Sequence, residues 1–486
     1  MRSVAMFFGA FISRTVGAEG TGLYTLIMTV YSFAVTLATS GISLTVTRLV
    51  ASAIGEGRPE GVGKVLKGAF IYSLGFGVLA TLGLFFGADF LGNRILSDSR
   101  TVISLKVLAL SLIPISLSSV LSGYFVGVKR VAFNAAASVF CQFLKIGLTV
   151  ALVTYLSPYG MVSAVIGICL GITLTEILGF LLIFFEFLYD RHKNGVKSPC
   201  RKAELSAVSS TALPLAFSAY VRSLLLNVEH ILIPKRLRDS GESNAEAYAH
   251  YGTLHGMALP LVTYPMSPLS SFSGLLVPEF AEDMSAGRQK RMNRIAERAI
   301  NTTLAYAVIS AVFLFVFAEE LGYTVYNSYD AGYYISTLAL VVPIMYLDHV
   351  TDSMLKGIGE QVFSMWVNIT DSLLSVILVW LLIPRMGIMG YAVVIVIMET
   401  YNFALSFYRL KRKISFKIKF LPAMIIPLLA SLFAAFISRR LFVFSGSTAE
   451  PIWLALKMIF ALCAVVLVLS LVDFRREFCN KNPRPI

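Results

Sequence analysis

Residues 160–193 read GMVSAVIGICLGITLTEILGFLLIFFEFLYDRHK, and this stretch decides the class of fold. Between Gly160 and Leu188 the only charged residues are Glu176 and Glu186. The rest is apolar, small or hydroxylic, and the run exceeds the roughly 20 residues a helix needs to cross a bilayer core of about 30 Å. It closes on Arg191, His192 and Lys193, the basic signature of a cytoplasmic membrane loop.

Runs of the same kind continue in both directions. The expected spans are 3–16, 23–47, 68–91, 103–127, 133–156, 160–188, 207–233, 250–277, 298–318, 333–355, 362–383, 387–408, 420–440 and 452–472. The chain of 486 residues is 57% hydrophobic and 14% charged, with a mean hydropathy of +0.76. A soluble domain carries roughly 25% charged residues, so this chain has too little polar surface to face water on all sides. The recurrence of spans also excludes a soluble domain on a single anchor. The expected fold class is therefore all-α, a polytopic membrane protein of about 14 transmembrane helices. A net charge of +13 would suggest nucleic acid in a soluble protein. Here the basic residues sit in short loops between spans, and no nucleic-acid partner is expected. Cys141, Cys169, Cys200, Cys463 and Cys479 form no C-x-x-C pair and imply neither a disulfide framework nor a zinc site. No cleavable signal peptide is legible.

Orientation follows from the loops. Those after even-numbered spans hold Arg48, Arg58, Lys64 and Lys67, then Lys129 and Arg130, Arg191 to Lys202, Arg288 to Arg298, Lys356, and Arg409 to Lys419. The opposite loops hold far fewer basic residues, so both termini are expected in the cytoplasm. A repeat is visible at a spacing of about 230 residues. Leu108-Ala109-Leu110 recurs as Leu338-Ala339-Leu340, Gly127 as Gly357, Phe133 as Phe363, and Leu144, Leu148 and Leu152 as Leu374, Leu378 and Leu382. Arg2-Ser3 opens the first span and Arg222-Ser223 sits within the seventh. Six helices per unit make the repeat parallel, related by an axis along the membrane normal. The expected organisation is two pseudo-symmetric six-helix lobes, 1–190 and 206–410, an appended helix pair at 416–473 and a cytoplasmic tail at 474–486. The first span is short: about 14 residues at 1.5 Å each cover about 21 Å. The N-terminal lobe therefore reads as truncated at its start.

Two segments carry a family pattern. Ser13-Arg14-Thr15-Val16-Gly17-Ala18-Glu19-Gly20-Thr21-Gly22-Leu23-Tyr24 resembles the start of the polysaccharide-biosynthesis and stage V sporulation protein B group of flippases. Ile231-Leu232-Ile233-Pro234-Lys235-Arg236-Leu237 is followed by Tyr251-Gly252, Gly256-Met257-Ala258-Leu259-Pro260-Leu261, Pro265 and Leu276-Val277-Pro278-Glu279, and is similar to the stage V sporulation protein B subgroup. The resemblance covers nearly the whole chain. It implies the multidrug/oligosaccharidyl-lipid/polysaccharide exporter superfamily, with two six-helix lobes around a cavity that opens alternately to each side. It also implies a lipid-linked glycan of the polyprenyl pyrophosphate type as the transported partner.

An ionisable residue at a helix centre costs about 2.5 to 3.5 kcal/mol on insertion scales, so it usually faces a cavity or a partner. Arg222 and Glu229 are seven apart and share one face of the seventh span, beside Asn227 and His230. Either they line the cavity or they form a structural ion pair. Arg2 occupies the corresponding place in the first repeat. Arg14 and Arg48 lie at opposite membrane edges; each is a cavity-mouth candidate or an interfacial side chain. Asp348 and Asp352 share a face of the tenth span, and Lys356 follows one turn later. The pair is a candidate for coupling to Na⁺ or a proton, or a carboxylate–lysine lock. Glu176 and Glu399 occupy similar places in the sixth and twelfth spans. Pro114, Pro343, Pro260, Pro265 and Pro268 should kink their helices. There is no P-loop, no catalytic constellation and no metal spacing among the five histidines, so no cofactor is expected. A flippase working as a monomer among membrane lipids is the leading expectation. The rivals are a cation-coupled multidrug exporter, a membrane glycan polymerase or glycosyltransferase, and a non-transporting scaffold.

Overall fold

In a computed structural model, the structure describes residues 2–39, 41–55, 59–128, 130–194, 205–441, 456–459, 463 and 465. Every regular element among these residues is a helix. Lipid supplies no hydrogen bonds, so each backbone group must be satisfied within its own segment, and a helix does this. Contacts divide the chain into two compact units, residues 15–249 and residues 2–14 with 250–486.

The first unit begins inside α1 (Arg2–Thr39), which is broken at Gly17, whose φ of 73° and ψ of −176° are non-helical. It continues with α2 (Ile42–Gly55), α3 (Pro59–Phe90), α4 (Thr101–Ala109), α5 (Leu112–Gly127), α6 (Val131–Leu156), α7 (Met161–Asn194) and α8 (Leu205–Asp239). Its core forms where α2, α3, α5, α7 and α8 meet, around Val46, Val50, Val120, Leu121, Phe125 and Val208. The second unit takes up within α9 (Asn244–Tyr251) and holds α10 (Leu259–Thr263), α11 (Ser267–Ser285), α12 (Gln289–Val316), α13 (Ala318–Tyr326), α14 (Tyr329–Ala339), α15 (Val342–Gly357), α16 (Gln361–Met386), α17 (Ile388–Lys413) and α18 (Ile426–Leu441). Its core joins α11, α12, α15 and α17 around Phe280, Ala296, Ile300, Val350, Met354 and Leu410.

The spacing of 230 read from the sequence recurs in the bounds of two pairs of helices. Helix α15 starts and ends 230 positions after α5, and α16 does the same relative to α6. The turn after α5 is closed by Val128 N–H to Tyr124 O and Arg130 N–H to Phe125 O; the turn after α15 repeats this with Ile358 to Met354 and Glu360 to Leu355. The last residue of each helix is a glycine for the same reason. A Cβ on Gly127 would lie 3.0 Å from the Val50 side chain, and one on Gly357 would lie 2.6 Å from Phe280 Cβ. Arg130 then pairs with Asp190 at the end of α7, whereas Glu360 pairs with Arg409 near the end of α17, so the lock recurs with its charges exchanged.

The proline kinks lie where the lost backbone bonds place them. Pro114 has no N–H for the carbonyl of Leu110, nor Pro343 for that of Ala339. The pairs α4–α5 and α14–α15 bend by 41° and 58° at these points. Side chains brace the last turn of α4 before the first bend: Thr173 donates to Val107 O at 3.2 Å and Ser111 to Leu108 O at 2.6 Å. Residues 244–285 are interrupted more heavily, by a π-turn at Gly252–Ala258 and a 3-10 turn at Tyr264–Met266. Tyr346 on α15 donates to Val262 O at 2.9 Å, and Tyr306 on α12 donates to Pro265 O at 2.6 Å.

Among the described residues, eight helices are long and apolar enough to cross a membrane, and ten spans result if each bent pair is one. This differs from the fourteen expected at four places. Phe8–Ile54 counts as one span because helicity is nearly continuous across Gly17 and Gly41. Helix α8 carries Arg222, Asn227, Glu229 and His230. Residues 250–277 are broken into short pieces, and 452–472 falls almost wholly outside the described residues. Large apolar side chains stand on the outer faces, among them Phe86, Phe143, Trp366, Trp380, Phe433 and Phe436. A band this apolar is a lipid-facing surface.

Candidate functional site

The segment Ser13–Tyr24 is built to bend and to pack closely. Gly17 supplies the left-handed backbone at the break. A Cβ on Gly22 would lie 1.9 Å from the carbonyl oxygen of Tyr248, so helix and backbone touch there with no room for a side chain. Glu19 is held by Arg100, which grips Asp98 with Nε and Nη2 and reaches Glu19 Oε1 at 2.8 Å with Nη1. Two carboxylates on one guanidinium raise its affinity for the proton still further.

In the second unit, Arg14 donates Nε to Val325 O at 2.8 Å and Nη2 to Thr324 O. These are carbonyls at the C-terminal end of α13, where unsatisfied oxygens concentrate negative potential. Arg14 is therefore a helix-end cap in this structure. Arg48 is exposed on α2 and has no ion-pair or hydrogen-bond partner among the described residues. The side chain of Arg2 lies outside the described residues.

Helix α8 carries the polar face read from the sequence. Arg222 is exposed and, among the described residues, has no ion-pair partner; Glu229 is buried one face-repeat later. Asn227 donates to Ser223 O at 2.6 Å, while its Oδ1 is buried with no hydrogen-bond partner among the described residues. Tyr220 donates to Leu37 O at 3.3 Å, and the Ser223 hydroxyl lies 3.5 Å from that of Thr36. Opposite α8, α1 presents a ladder of hydroxyls. Thr21, Thr25, Thr29, Ser32, Thr36 and Thr39 each donate to the carbonyl three or four residues back. This leaves their oxygen lone pairs as acceptors along one helix face. The sequence reading missed the ladder, although its spacing of four, four, three, four and three is the helical repeat.

In the second unit the two aspartates that the sequence pairs are electrostatic neighbours with different further partners. Asp352 accepts Lys356 Nζ at 2.5 Å and the Ser364 hydroxyl. Asp348, one turn earlier, shares an electrostatic neighbourhood with Glu399 of α17, with Asp352 and with Asp371 of α16. Its Oδ1 is buried without a hydrogen-bond partner among the described residues. Carboxylates from three consecutive helices therefore share one electrostatic neighbourhood. In the first unit the corresponding helices bring together Glu176 of α7 and Lys145 of α6.

Residues 3–284 match the family described as polysaccharide biosynthesis protein, and residues 255–381 match the MatE family. Stage V sporulation protein B of Bacillus subtilis (strain 168) is 28% identical over 398 residues, covering 79% of this chain and 76% of that protein. Among solved structures, lipid II flippase MurJ in an inward closed conformation superposes with a TM-score of 0.74 at 16% identity, over 98% of this chain and 97% of that one. An inward-facing MATE family multidrug resistance transporter of the MOP superfamily gives 0.64 at 20% identity, over 85% and 95%. These likenesses show the fold, a multi-pass bundle of helices.

Proposed function

The chain belongs to the polysaccharide biosynthesis protein family, and from that premise we propose that it flips a lipid-linked glycan of the polyprenyl pyrophosphate type, such as a peptidoglycan precursor, across the cytoplasmic membrane. Stage V sporulation protein B among its relatives, and a structural neighbour named as a lipid II flippase, support this reading. The observation that carries it is Arg222, a guanidinium on α8, exposed and without an ion partner among the described residues. An anionic headgroup leaving water needs a cation in the low-dielectric path. Arginine offers a planar fork that matches two phosphate oxygens.

In this reading two lobes, 1–190 and 206–410, surround a central path in a monomer with both termini in the cytoplasm. Arg222, with Arg2, Arg14 and Arg48 along the route, meets the pyrophosphate, Glu229 sets the local field, and the α1 hydroxyls accept from sugar groups. The polyprenyl tail stays in lipid. No chemical bond is made or broken, so the chain acts as a transporter and not as an enzyme. Na⁺ or a proton couples through Asp348 and Asp352, joined by Asp371 and Glu399. The membrane potential contributes roughly 2.3 kcal/mol per charge for each 100 mV. Purified protein in liposomes with a labelled lipid-linked glycan tests this: wild type flips it, and Arg222→Ala does not. Equal flipping by a well-folded Arg222→Ala protein removes Arg222 from the mechanism.

The carboxylates Asp348 and Asp371, which lie within the MatE match, with Glu399 beyond its end, favour a second reading, a cation-coupled multidrug exporter. Uptake of organic cations by the same liposomes, with no flipping of glycan lipid, would select it.

A further inference from the structure

Several basic residues of the second unit are engaged. Arg288 and Arg291 both bind Asp283, Lys356 binds Asp352, and Arg409 and Lys413 share Glu360. Arg294 and Arg298 are not. Both are exposed, and neither has an ion-pair or hydrogen-bond partner among the described residues. Four positions apart, they project from one face of α12. They open into a cavity of about 570 Å³ lined also by Thr302, Ser415 and Lys419. The carboxylate of that lining, Glu297, is occupied by Lys419 at 2.9 Å.

The cavity is held open by an amide clamp. Asn301 donates to Lys417 O at 3.0 Å and accepts from Lys419 N–H at 2.8 Å. Gln289 donates to Lys413 O at 3.1 Å, and Asn293 accepts from Ser415 N–H at 3.3 Å. The segment 413–419 is thus fixed alongside α12, and its lysine is presented at a set distance from the two arginines. Depth in the membrane is fixed as well. The uncharged run of α12 starts at Ala299, directly after Arg298, and the chain enters Phe420 and Leu421 directly after Lys419. Helices α12 and α18 pack together beyond that point. Three cations against one carboxylate therefore lie at the boundary between water and hydrocarbon, where phospholipid phosphates lie.

We propose that this cavity binds the phosphate of an anionic phospholipid of the leaflet on the basic side, with Arg294 and Arg298 as the phosphate forks. Positive charge in cytoplasmic loops accounts for having basic residues there. It does not account for two unpaired arginines set in a clamped cavity at phosphate depth. The site is separate from the path proposed for the glycan lipid, and it stands even if that path is wrong.

The test uses the full-length protein in phosphatidylcholine nanodiscs, with phosphatidylglycerol titrated in and bound lipid counted by native mass spectrometry. Wild type should retain phosphatidylglycerol in preference to phosphatidylcholine. The double variant Arg294→Gln/Arg298→Gln should bind it about thirty-fold more weakly, since each basic residue near the surface contributes comparably. Lys67→Gln, an exposed change on α3, should leave binding unchanged. Wild-type affinity in the double variant overturns the proposal, as does an equal loss in Lys67→Gln. A parallel arm adds inorganic phosphate: displacement of phosphatidylglycerol at matched concentration would make this a site for a soluble anion and overturn the lipid assignment.

Discussion

At the scale of single residues, arginines that look alike in the sequence do opposite things. Arg130 pairs with Asp190, a carboxylate only 2% exposed that also accepts the Tyr124 hydroxyl at 2.8 Å. Removing one partner of such a pair strands a buried charge, a cost of about 3 to 5 kcal/mol. Arg130→Ala should therefore lower the melting temperature of the purified protein by many degrees, with Arg130→Ala/Asp190→Asn recovering part of the loss. Arg222 has no ion partner among the described residues, so Arg222→Ala should leave the melting temperature within about 2 °C while flipping falls at least ten-fold, roughly the worth of one charge-assisted hydrogen bond. A large loss of stability in Arg222→Ala would show that the guanidinium holds the fold instead. Arg222→Lys keeps the charge and loses the fork, and its residual flipping measures how much the planar geometry matters.

At the scale of elements, close approach and broken helices set the predictions. Gly22 meets the Tyr248 carbonyl so tightly that any Cβ forces backbone to move. Gly22→Ala should destabilise by about 1 to 3 kcal/mol, the usual cost of overpacking. Gly75→Ala on α3, where nothing lies within 4 Å, should be neutral or slightly stabilising. Denaturation of both variants in detergent checks this, and equal stability would mean that α1 and α9 are not in contact in solution. The interrupted segment 244–285 depends on tyrosines for its carbonyls. Tyr346→Phe leaves Val262 O buried and unsatisfied at about 1 to 3 kcal/mol. If this segment flexes during transport, the variant should also change the flipping rate, whereas a purely structural kink would leave the rate unchanged once folded protein is matched.

At the scale of the whole molecule, the face marked by basic loops is bound together by ion pairs. Glu360 is held below the ordinary glutamate range chiefly by its hydrogen bond to Arg409, with Lys413 adding to the effect. Glu282 is lowered chiefly by its hydrogen bond to Arg288. A carboxylate whose folded value is depressed contributes stability above its unfolded value, and that stability is lost as pH falls through the folded one. Thermal stability should thus be flat from neutral pH down to the usual glutamate range and fall below it. Arg409→Gln should flatten that fall, and an unchanged acid limb in Arg409→Gln would show that the Glu360 lock does not contribute. High salt should weaken the exposed pairs most, because screening acts on solvent-facing charges.

The sequence by itself determined the membrane class, the duplication and the family motifs, because each is a one-dimensional signal. Hydropathy over about 20 residues reports a span. A spacing of 230 between like helices survives in the element bounds as it stands in the letters. Proline marks its own kink, and the bends of 41° and 58° follow. The tertiary structure alone decided which charges are committed. Arg14 finds its carbonyls 311 residues away on α13. Asp352 binds Lys356 and Ser364, while Asp348, beside it, also neighbours Asp371 and Glu399 of two further helices. It also decided that α8 packs with α2 and α3 in the unit of residues 15–249. The physical reason is that desolvation makes a buried charge depend on whichever group the fold brings within a few ångströms. No local spacing encodes that neighbour.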